Sequence, residues 1–204
     1  RVCSSGGFAI EFLPRAMALF REQYPGMQFH LRVEAPAAVT QAVLGGEADV
    51  GLTYSRAAAR DIEVWHRQVS PVVAIMRPDH ALARHASITL AQMHPHAIAL
   101  PEDANTARQL FDIACSHRRL VFEPALVSGQ FETLVHFVLH GGGLSLGGEV
   151  TMRERVRRGE LHAAPIRERG MNARAIELQT LAGRTLSKGV RAFVEHLREL
   201  LPPG

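Results

Sequence analysis

A glycine-rich run lies in the second half of the chain, and such runs hold phosphate groups in nucleotide-binding enzymes. It ends the stretch VSGQFETLVHFVLHGGGLSLGG, Val127 to Gly148. A phosphate loop needs a strand, then the glycines, then a helix whose free N–H groups face the anion. Here a helical pattern comes first and a strand pattern follows, so helix carbonyls point at Gly141 to Gly143. We interpret these glycines as a helix stop and a tight return into the sheet, and we expect no nucleotide at this loop.

Polar turns elsewhere have the order that suits an anion. In open α/β sheets, ligands lie beyond the carboxyl ends of strands, where helix N-termini and small hydroxyls favour a carboxylate or a similar group. Taken singly, each Ser, Thr or Asn there is better explained as the cap of its own helix. Four polar turns at the same sheet edges nevertheless favour a shared cleft. These turns are Ser4-Ser5-Gly6, Thr53-Tyr54-Ser55, Asn105-Thr106 and Ser128-Gly129-Gln130.

Other reactive residues give weaker patterns. His136 and His140 have a spacing that can bind zinc, but no Cys, Asp or Glu nearby in the sequence completes a site, so we expect no metal. Cys3 and Cys115 are far apart and indicate structural thiols in a reducing cytoplasm rather than a disulfide or a redox pair. Arg108 either reaches a ligand carboxylate through two N–H groups or pairs with a surface acid, and the sequence leaves both open.

Composition sets the class of protein. The chain has 204 residues, of which 47% are hydrophobic and 21% charged, with a net charge of +3. It can therefore bury the core of one large domain or two small lobes. No apolar run approaches the roughly 20 residues of a membrane span. The arginine-rich stretch from Arg153 to Leu161 also contains glutamates, which favours a solvated helix face over a nucleic-acid surface. The start at Arg1 indicates a piece of a longer protein.

The hydrophobic pattern predicts two α/β units. Apolar residues from Phe8 to Phe20 recur at helical spacing, and Tyr24-Pro25-Gly26 ends that helix. The order βαβαβ indicates a mostly parallel sheet with right-handed crossovers. The pattern restarts at Val72, and we expect a final strand (Ala175 to Leu181) and helix (Ser187 to Leu201) to return to the first unit. The prediction is α/β, with two Rossmann-like lobes joined by two hinge crossings: residues 1–71 with 174–204, and residues 72–173.

Five segments in this order resemble the effector-binding domain of LysR-type transcriptional regulators. They are FLPRAMALFREQYPG (Phe12 to Gly26), VLGGEADVGLTY (Val43 to Tyr54), RPDHALA (Arg77 to Ala83), SGQFETLVHFVLHGGGLSLG (Ser128 to Gly147) and TLSKGVRAFVEHL (Thr185 to Leu197). The resemblance runs through nearly the whole chain. It implies a periplasmic-binding-protein-like fold of type II with a small effector, expected to be anionic, in the cleft between the lobes. It also implies that DNA is bound only by an N-terminal winged helix-turn-helix that this chain lacks.

The resemblance also implies particular contacts and partners. It places a homodimer interface on helices 8–24 and 129–140, with a tetramer in the full-length protein, and it calls for no cofactor, no membrane and no enzymatic activity. The predicted effector contacts are Ser4, Ser5, Gly6, Pro36, Thr53, Tyr54, Asn105, Thr106, Arg108, Ser128, Gln130 and Phe131. The turn at Ala35-Pro36-Ala37 departs from the family, which often has Ser or Thr there. A solute-binding protein of a transporter and an enzyme on the same scaffold are the alternatives.

Overall fold

The computed structural model describes residues 1–202 as a mixed α/β chain with two five-stranded sheets, which confirms the predicted fold class. In chain order the first elements are β1 (Val2–Ser4), α1 (Gly6–Ala9), α2 (Phe12–Gln23), β2 (Leu31–Val33), α3 (Pro36–Leu44), β3 (Val50–Ser55), β4 (Ile62–Val69), β5 (Val72–Met76) and α4 (Leu90–Met93). The others are β6 (Ile98–Pro101), α5 (Thr106–Arg118), β7 (Leu126–Ser128), α6 (Phe131–Leu139), β8 (Leu144–Gly148), α7 (Glu149–Arg157), β9 (His162–Pro165), β10 (Ala175–Leu181) and α8 (Lys188–Leu200). Within residues 1–202, no helix is long and apolar enough to cross a membrane.

The chain forms two compact units. Unit 1 comprises Arg1–Val69 and Arg174–Gly204, and unit 2 comprises Ser70–Ala173, so the chain passes between the units twice. Pro203 and Gly204, which the sequence prediction places in the first lobe, lie outside the described residues.

Unit 1 contains the sheet with strand order β2-β1-β3-β10-β4. β1 pairs in parallel with β2 and with β3, whereas β10 is antiparallel to both β3 and β4. The carboxyl ends of β1, β2 and β3 therefore lie at one edge, and the amino end of β10 lies at the same edge. On one face, α3 packs against the sheet through Val39 and Val43, which form a buried cluster with Cys3.

Unit 2 repeats this arrangement with the order β7-β6-β8-β5-β9. β6 is parallel to β7 and β8, and β5 is antiparallel to β8 and β9. The larger buried cluster of this unit includes Phe111 of α5 and Met93 of α4, and a second cluster contains Val135 of α6 and Met152 of α7. The loops that follow β6 and β7 share one edge of the sheet.

The predicted single helix from Phe8 to Tyr24 is wrong, because the structure has two helices separated by Ile10 and Glu11. Pro14 explains the break: inside a continuous helix its ring would clash with the carbonyl of Ile10. A new helix that begins at Phe12 places this proline in its first turn, where the missing N–H is not needed.

The hydrophobic pattern does not predict β4, and it does not reveal that both faces of β10 are buried. β4 is an edge strand that mixes exposed Glu63 and Arg67 with partly buried residues. Glu177 and Gln179 on β10 are fully buried, and they are satisfied by hydrogen bonds to each other and to Arg67 and Thr40. A polar residue within a strand is therefore compatible with a central position when its partners lie on neighbouring elements.

The glycine run ends α6 and leads directly into β8, as predicted. The backbone N–H of Gly141 donates to Val138 and that of Gly142 to Phe137, after which β8 begins at Leu144. Gly141 has a left-handed φ of +83°. Helix carbonyls, not amides, thus face this loop, as the order of elements indicates.

Candidate functional site

A chain of hydroxyl groups lies at the carboxyl edge of the unit 1 sheet. The Ser5 and Thr53 hydroxyl oxygens are 2.9 Å apart, and the Thr53 hydroxyl donates to the carbonyl of Pro36 at 3.2 Å. Because a hydroxyl has a single proton and that of Thr53 points to Pro36, the Ser5 hydroxyl donates to Thr53. Three of the predicted contacts, Ser5 before α1, Pro36 at the start of α3 and Thr53 on β3, are therefore brought together. Ser5 and Thr53 are both buried, at 4% and 0% exposure.

The other predicted contacts of unit 1 are placed differently. Ser4 is fully buried on β1 and donates to the carbonyl of Ser5, so it supports the loop from within the protein. Gly6 is the first residue of α1. Tyr54 is turned to the opposite face of β3 from Thr53, and its ring packs 4.9 Å from that of Phe8.

Arg174, which the sequence reasoning missed, lies against Tyr54. Its guanidinium carbon is 4.1 Å from the centre of the Tyr54 ring, and the side chain is only 4% exposed. Arg174 immediately precedes β10, whose Ala175 pairs with Ser55. From the sequence, Arg174 could be recognised only as an arginine directly before a strand predicted to return to the first unit. Its position beside Tyr54 depends on the antiparallel pairing of β10 with β3, which the sequence does not reveal.

In unit 2, the loop after β6 is built around the start of α5. The Oδ1 of Asn105 accepts a hydrogen bond from the N–H of Ala107 at 2.8 Å, so Asn105 caps α5. Thr106 is the first helical residue and is 8% exposed. The guanidinium of Arg108 pairs with Asp112 at 2.8 Å and donates to the carbonyl of Pro101 at 3.1 Å. For Arg108, the observed pairing is thus the one with a surface acid.

The loop after β7 adjoins the loop after β6. The Oγ of Ser128 accepts the N–H of Gln130 at 3.1 Å, which fixes the turn. A Cβ on Gly129 would lie 3.1 Å from the carboxylate of Glu102, so these two loops are in close contact. Phe131 packs against the buried cluster of Val135 and its neighbours. The Glu102 carboxylate beside Gly129 disfavours an anion at the loop after β7.

The histidines and cysteines considered from the sequence form neither a metal site nor a disulfide within residues 1–202. Residues 1–202 contain no group of three His, Cys, Asp or Glu side chains that could hold a metal ion. The ring centroids of His136 and His140 are 6.1 Å apart. The sequence prediction that no acid lies nearby is wrong, because the Oε1 of Glu132, one turn before His136, is 3.5 Å from the Nε2 of His136. Cys3 and Cys115 are both buried and free, and they belong to different units.

We expect both thiols to be unreactive in the folded protein. Burial raises the pKa of the Cys3 thiol, and it raises that of Cys115 to about 12 from an ordinary 9.0. Since the thiolate is the reactive form, a rise of this size in the pKa of Cys115 lowers its thiolate fraction about a thousandfold at pH 8. Labelling with a chromogenic disulfide should therefore be at least about a hundredfold slower in native buffer than in guanidinium chloride. A thiol that reacts at the same rate in both conditions would make redox sensing the better interpretation of that cysteine.

Fold and loops together define the class of protein. Two α/β units, each with hydroxyl-bearing or capped loops at the carboxyl ends of parallel strands, form the architecture of a small-molecule binding protein. The family model for the LysR substrate binding domain matches residues 1–202, and the chain therefore belongs to this family.

Known relatives and solved structures agree with this assignment. The HTH-type transcriptional regulator YeiE of Escherichia coli K12, described as uncharacterised, is 28% identical over 163 residues, which cover 79% of this chain and 55% of the relative. The CcmR regulatory domain of Synechocystis PCC6803, solved in complex with 2-PG, superimposes with a TM-score of 0.79 at 23% identity, covering 98% of this chain and 95% of that one. The effector-binding domain of QuiR in complex with shikimate gives a TM-score of 0.74 at 16% identity, covering 98% and 94%.

These comparisons confirm the periplasmic-binding-protein-like fold of type II and the family that the sequence motifs indicate. The chain spans about half the length of the curated relatives it matches.

Proposed function

We propose that this chain is the ligand-sensing part of a LysR-type transcriptional regulator and that it binds one small oxyanion through the loops of both units. The observation that carries the proposal is the hydroxyl chain of Ser5, Thr53 and Pro36 at the carboxyl edge of the unit 1 sheet. Shikimate, bound by the QuiR domain, is itself a carboxylate, which supports an anionic effector for a domain of the same fold.

The hydroxyl chain suggests how unit 1 takes part. The proton of Ser5 is directed to Thr53, so an incoming oxyanion requires the Ser5 hydroxyl to rotate and to donate to the anion instead. Thr53 keeps its own bond to Pro36 throughout and holds the loop in place. Ser5 is thus the residue that exchanges partners, and Thr53 is a positioning residue.

For unit 2 we propose the Asn105-Thr106 turn as the main contact. The cap uses the Oδ1 of Asn105, and the same amide carries an NH₂ donor. The N-terminal end of α5, a helix of 13 residues, adds the positive end of the helix dipole. Ser128, Gln130 and Arg108 stay in the proposed set as peripheral contacts, because Glu102 and Asp112 occupy their surroundings.

Regulation then requires only that the effector bind one arrangement of the two units better than another. An effector shifts such a population by its differential affinity and by no more than that. We propose that the shift alters the geometry of a homodimer formed through α2 and α6, and of a tetramer of the full-length protein, and so controls an N-terminal DNA-binding segment. Exposed valines on the edge strand of each sheet, Val33 of β2 at 52% and Val127 of β7 at 47%, support an interface on these sides of the two units.

We also propose that the domain performs no chemistry and acts in the reducing cytoplasm, in keeping with its two free buried thiols. Turnover of any bound compound by the purified domain would contradict this part of the proposal and favour an enzyme on the same scaffold.

A thermal-shift screen of small carboxylates and phosphates tests the binding proposal. A compound at about 100 times its Kd adds about 2.7 kcal/mol to the free energy of unfolding, which raises Tm by roughly 5–10 °C for a domain of this size. We expect Ser5→Ala and Thr106→Ala each to weaken such a compound at least about tenfold, the cost of one lost charge-assisted hydrogen bond.

Matched controls lie on the surface of the same two units. Thr185→Ala in unit 1 and Ser116→Ala near the end of α5 each remove one exposed hydroxyl away from the proposed contacts, and they should leave the affinity unchanged. If a compound binds with the same affinity to the wild type, to Ser5→Ala and to Thr106→Ala, the effector site lies elsewhere.

A further inference from the structure

A fully buried carboxylate lies beside the hydroxyl chain of unit 1. Glu177 of β10 stands directly opposite Thr53 of β3 in the antiparallel ladder, and it is 0% exposed. Residues directly opposite each other project to the same face of a sheet, with Cβ atoms about 5 Å apart. The hydroxyl of Ser5 is 2.9 Å from that of Thr53. An oxyanion held by Ser5 would therefore lie within about 10 Å of the Glu177 carboxylate.

The partners of Glu177 fix its position and supply one positive charge. Arg67 of β4 stands opposite Glu177 on the other side of β10, and its guanidinium pairs with the Oε1 of Glu177. The Nε2 of Gln179 donates to the Oε2 of Glu177 at 2.7 Å, and the Oε1 of Gln179 accepts a hydrogen bond from the hydroxyl of Thr40 at 3.0 Å. Gln179 and Thr40 are neutral, so among these partners it is Arg67 that balances the charge of the carboxylate.

Burial gives this balance a consequence for a bound anion. At an effective dielectric constant of about 20, a bare carboxylate about 10 Å from an oxyanion would weaken its binding by roughly tenfold. With Arg67 in place, the two charges of the ion pair largely cancel at that distance. Water cannot replace Arg67 as the partner of Glu177, because the carboxylate is fully buried, although the Arg67 side chain itself is 46% exposed.

We propose that Arg67 allows the effector site of unit 1 to accept an anion by neutralising Glu177, although Arg67 is not itself a contact of the effector. Arg67 acts through Glu177 and is therefore a positioning residue of the site. This inference rests on the proposed function and adds the ion pair on which the affinity for an acid depends. The two charges have opposite signs, so their separate removal should change that affinity in opposite directions.

The test removes each charge alone and then both. Shikimate, benzoate and inorganic phosphate are titrated at about pH 8, where carboxylates are ordinarily ionised, and methyl shikimate and benzamide serve as neutral analogues. Arg67→Gln should weaken the tightest of these acids at least about tenfold, because Glu177 is then a buried charge without a counter-ion. Glu177→Gln should tighten the same acid about threefold, because Arg67 then acts on it alone, screened by its exposure to water.

The double variant completes the cycle. Arg67→Gln combined with Glu177→Gln removes both charges and should return the acid to within about threefold of its wild-type affinity. Methyl shikimate and benzamide carry no charge, so their affinities should change less than about threefold in every variant. A purely structural role for the ion pair would weaken the acid in both single variants, with no recovery in the double variant, and would overturn the inference.

Two controls guard against a general loss of structure. Arg67→Lys keeps the positive charge and should bind the acid within about threefold of the wild type. Arg15→Gln removes an exposed arginine of α2 and should leave every affinity unchanged. If Arg67→Gln does not fold, Glu177→Gln still decides the question, because the charge argument alone predicts tighter binding there. Unchanged or weaker binding of the acid by Glu177→Gln would contradict it.

The outcomes separate the two proposals. If the acids depend on Ser5 and Thr106 but bind Arg67→Gln as tightly as the wild type, the role of Arg67 is wrong and the proposed function stands. If the acids bind Ser5→Ala and Thr106→Ala as tightly as the wild type, the proposed function is wrong. A wild-type domain that binds none of these acids contradicts both.

Discussion

Gly143→Ala should lower the free energy of unfolding by about 3–6 kcal/mol, the combined cost of a strained backbone, an overpacked contact and a displaced hydrogen bond. A Cβ on Gly143 would lie 2.1 Å from the carbonyl oxygen of Ala97 and 2.9 Å from its carbon. Because these are backbone atoms, no side-chain rotation relieves the overlap. Gly143 also has a φ of +114°, which L side chains rarely adopt.

The strands must therefore separate to accept the methyl group. Separation lengthens the hydrogen bond from Leu144 N–H to the carbonyl of Ala97, now 2.9 Å, at the point where β8 joins β6. A loss of this size is a large part of the 5–15 kcal/mol that stabilises an ordinary domain. The glycine is required for close backbone approach between two strands, and not for contact with a phosphate.

Gly141→Ala is the matched control, two residues away in the same turn. Gly141 also has a positive φ, +83°, but a Cβ there meets nothing within 4 Å. It should cost only about 1–2 kcal/mol, the ordinary penalty of a left-handed alanine. Denaturant unfolding followed by far-ultraviolet circular dichroism measures both variants. Equal losses for Gly141→Ala and Gly143→Ala would show that backbone conformation alone decides this turn.

Thr53→Val should destabilise the protein by about 1–3 kcal/mol, although valine has nearly the shape of threonine and suits a strand. Thr53 is fully buried and occupies the middle of the hydroxyl chain. Its replacement removes the donor from the carbonyl of Pro36 and the acceptor from the hydroxyl of Ser5. Two buried polar groups then lose the partner that they have in the native protein.

Ser5→Ala should cost less, at most about 1 kcal/mol, because Thr53 can still donate to Pro36. In a double-mutant cycle, Ser5→Ala added to Thr53→Val should cost nothing further, since the Ser5 hydroxyl has already lost its acceptor. Additive losses, measured by the same unfolding experiment, would contradict the proton order inferred for this chain. Thr185→Ala, which removes an exposed hydroxyl of the same unit, should change stability by less than about 0.5 kcal/mol.

The sequence is sufficient to predict the features that depend on local pattern. Helical spacing, caps and breakers locate most elements, and the cap at Asn105 and the stop at Gly141 follow from residue type alone. The break before Phe12 is also local, and Pro14 is the residue that signals it. The ordered motifs indicate the family, and the family indicates the fold.

The features that the sequence does not reveal depend on the pairing of segments that are distant in the chain. β4 is an edge strand whose irregular pattern resembles a loop until β10 pairs with it. Glu177 resembles an exposed residue of a half-buried strand until Arg67, 110 positions away, lies beside it. Arg174 has no signature of its own, because its stacking on Tyr54 depends on the antiparallel return of β10 to β3. Residues that act through partners distant in sequence are the ones that pattern reasoning misses.

Amide chemical-shift mapping of the ¹⁵N-labelled domain with a compound from the screen tests the central claim most directly. That claim is that one small oxyanion is held jointly by the polar loops of unit 1 and unit 2. We predict shifts that saturate at one equivalent and that include the amides of Ser5 and Thr53 together with those of Asn105 and Thr106. Shifts confined to the loops of one unit, or concentrated on residues remote from both sets, would contradict it.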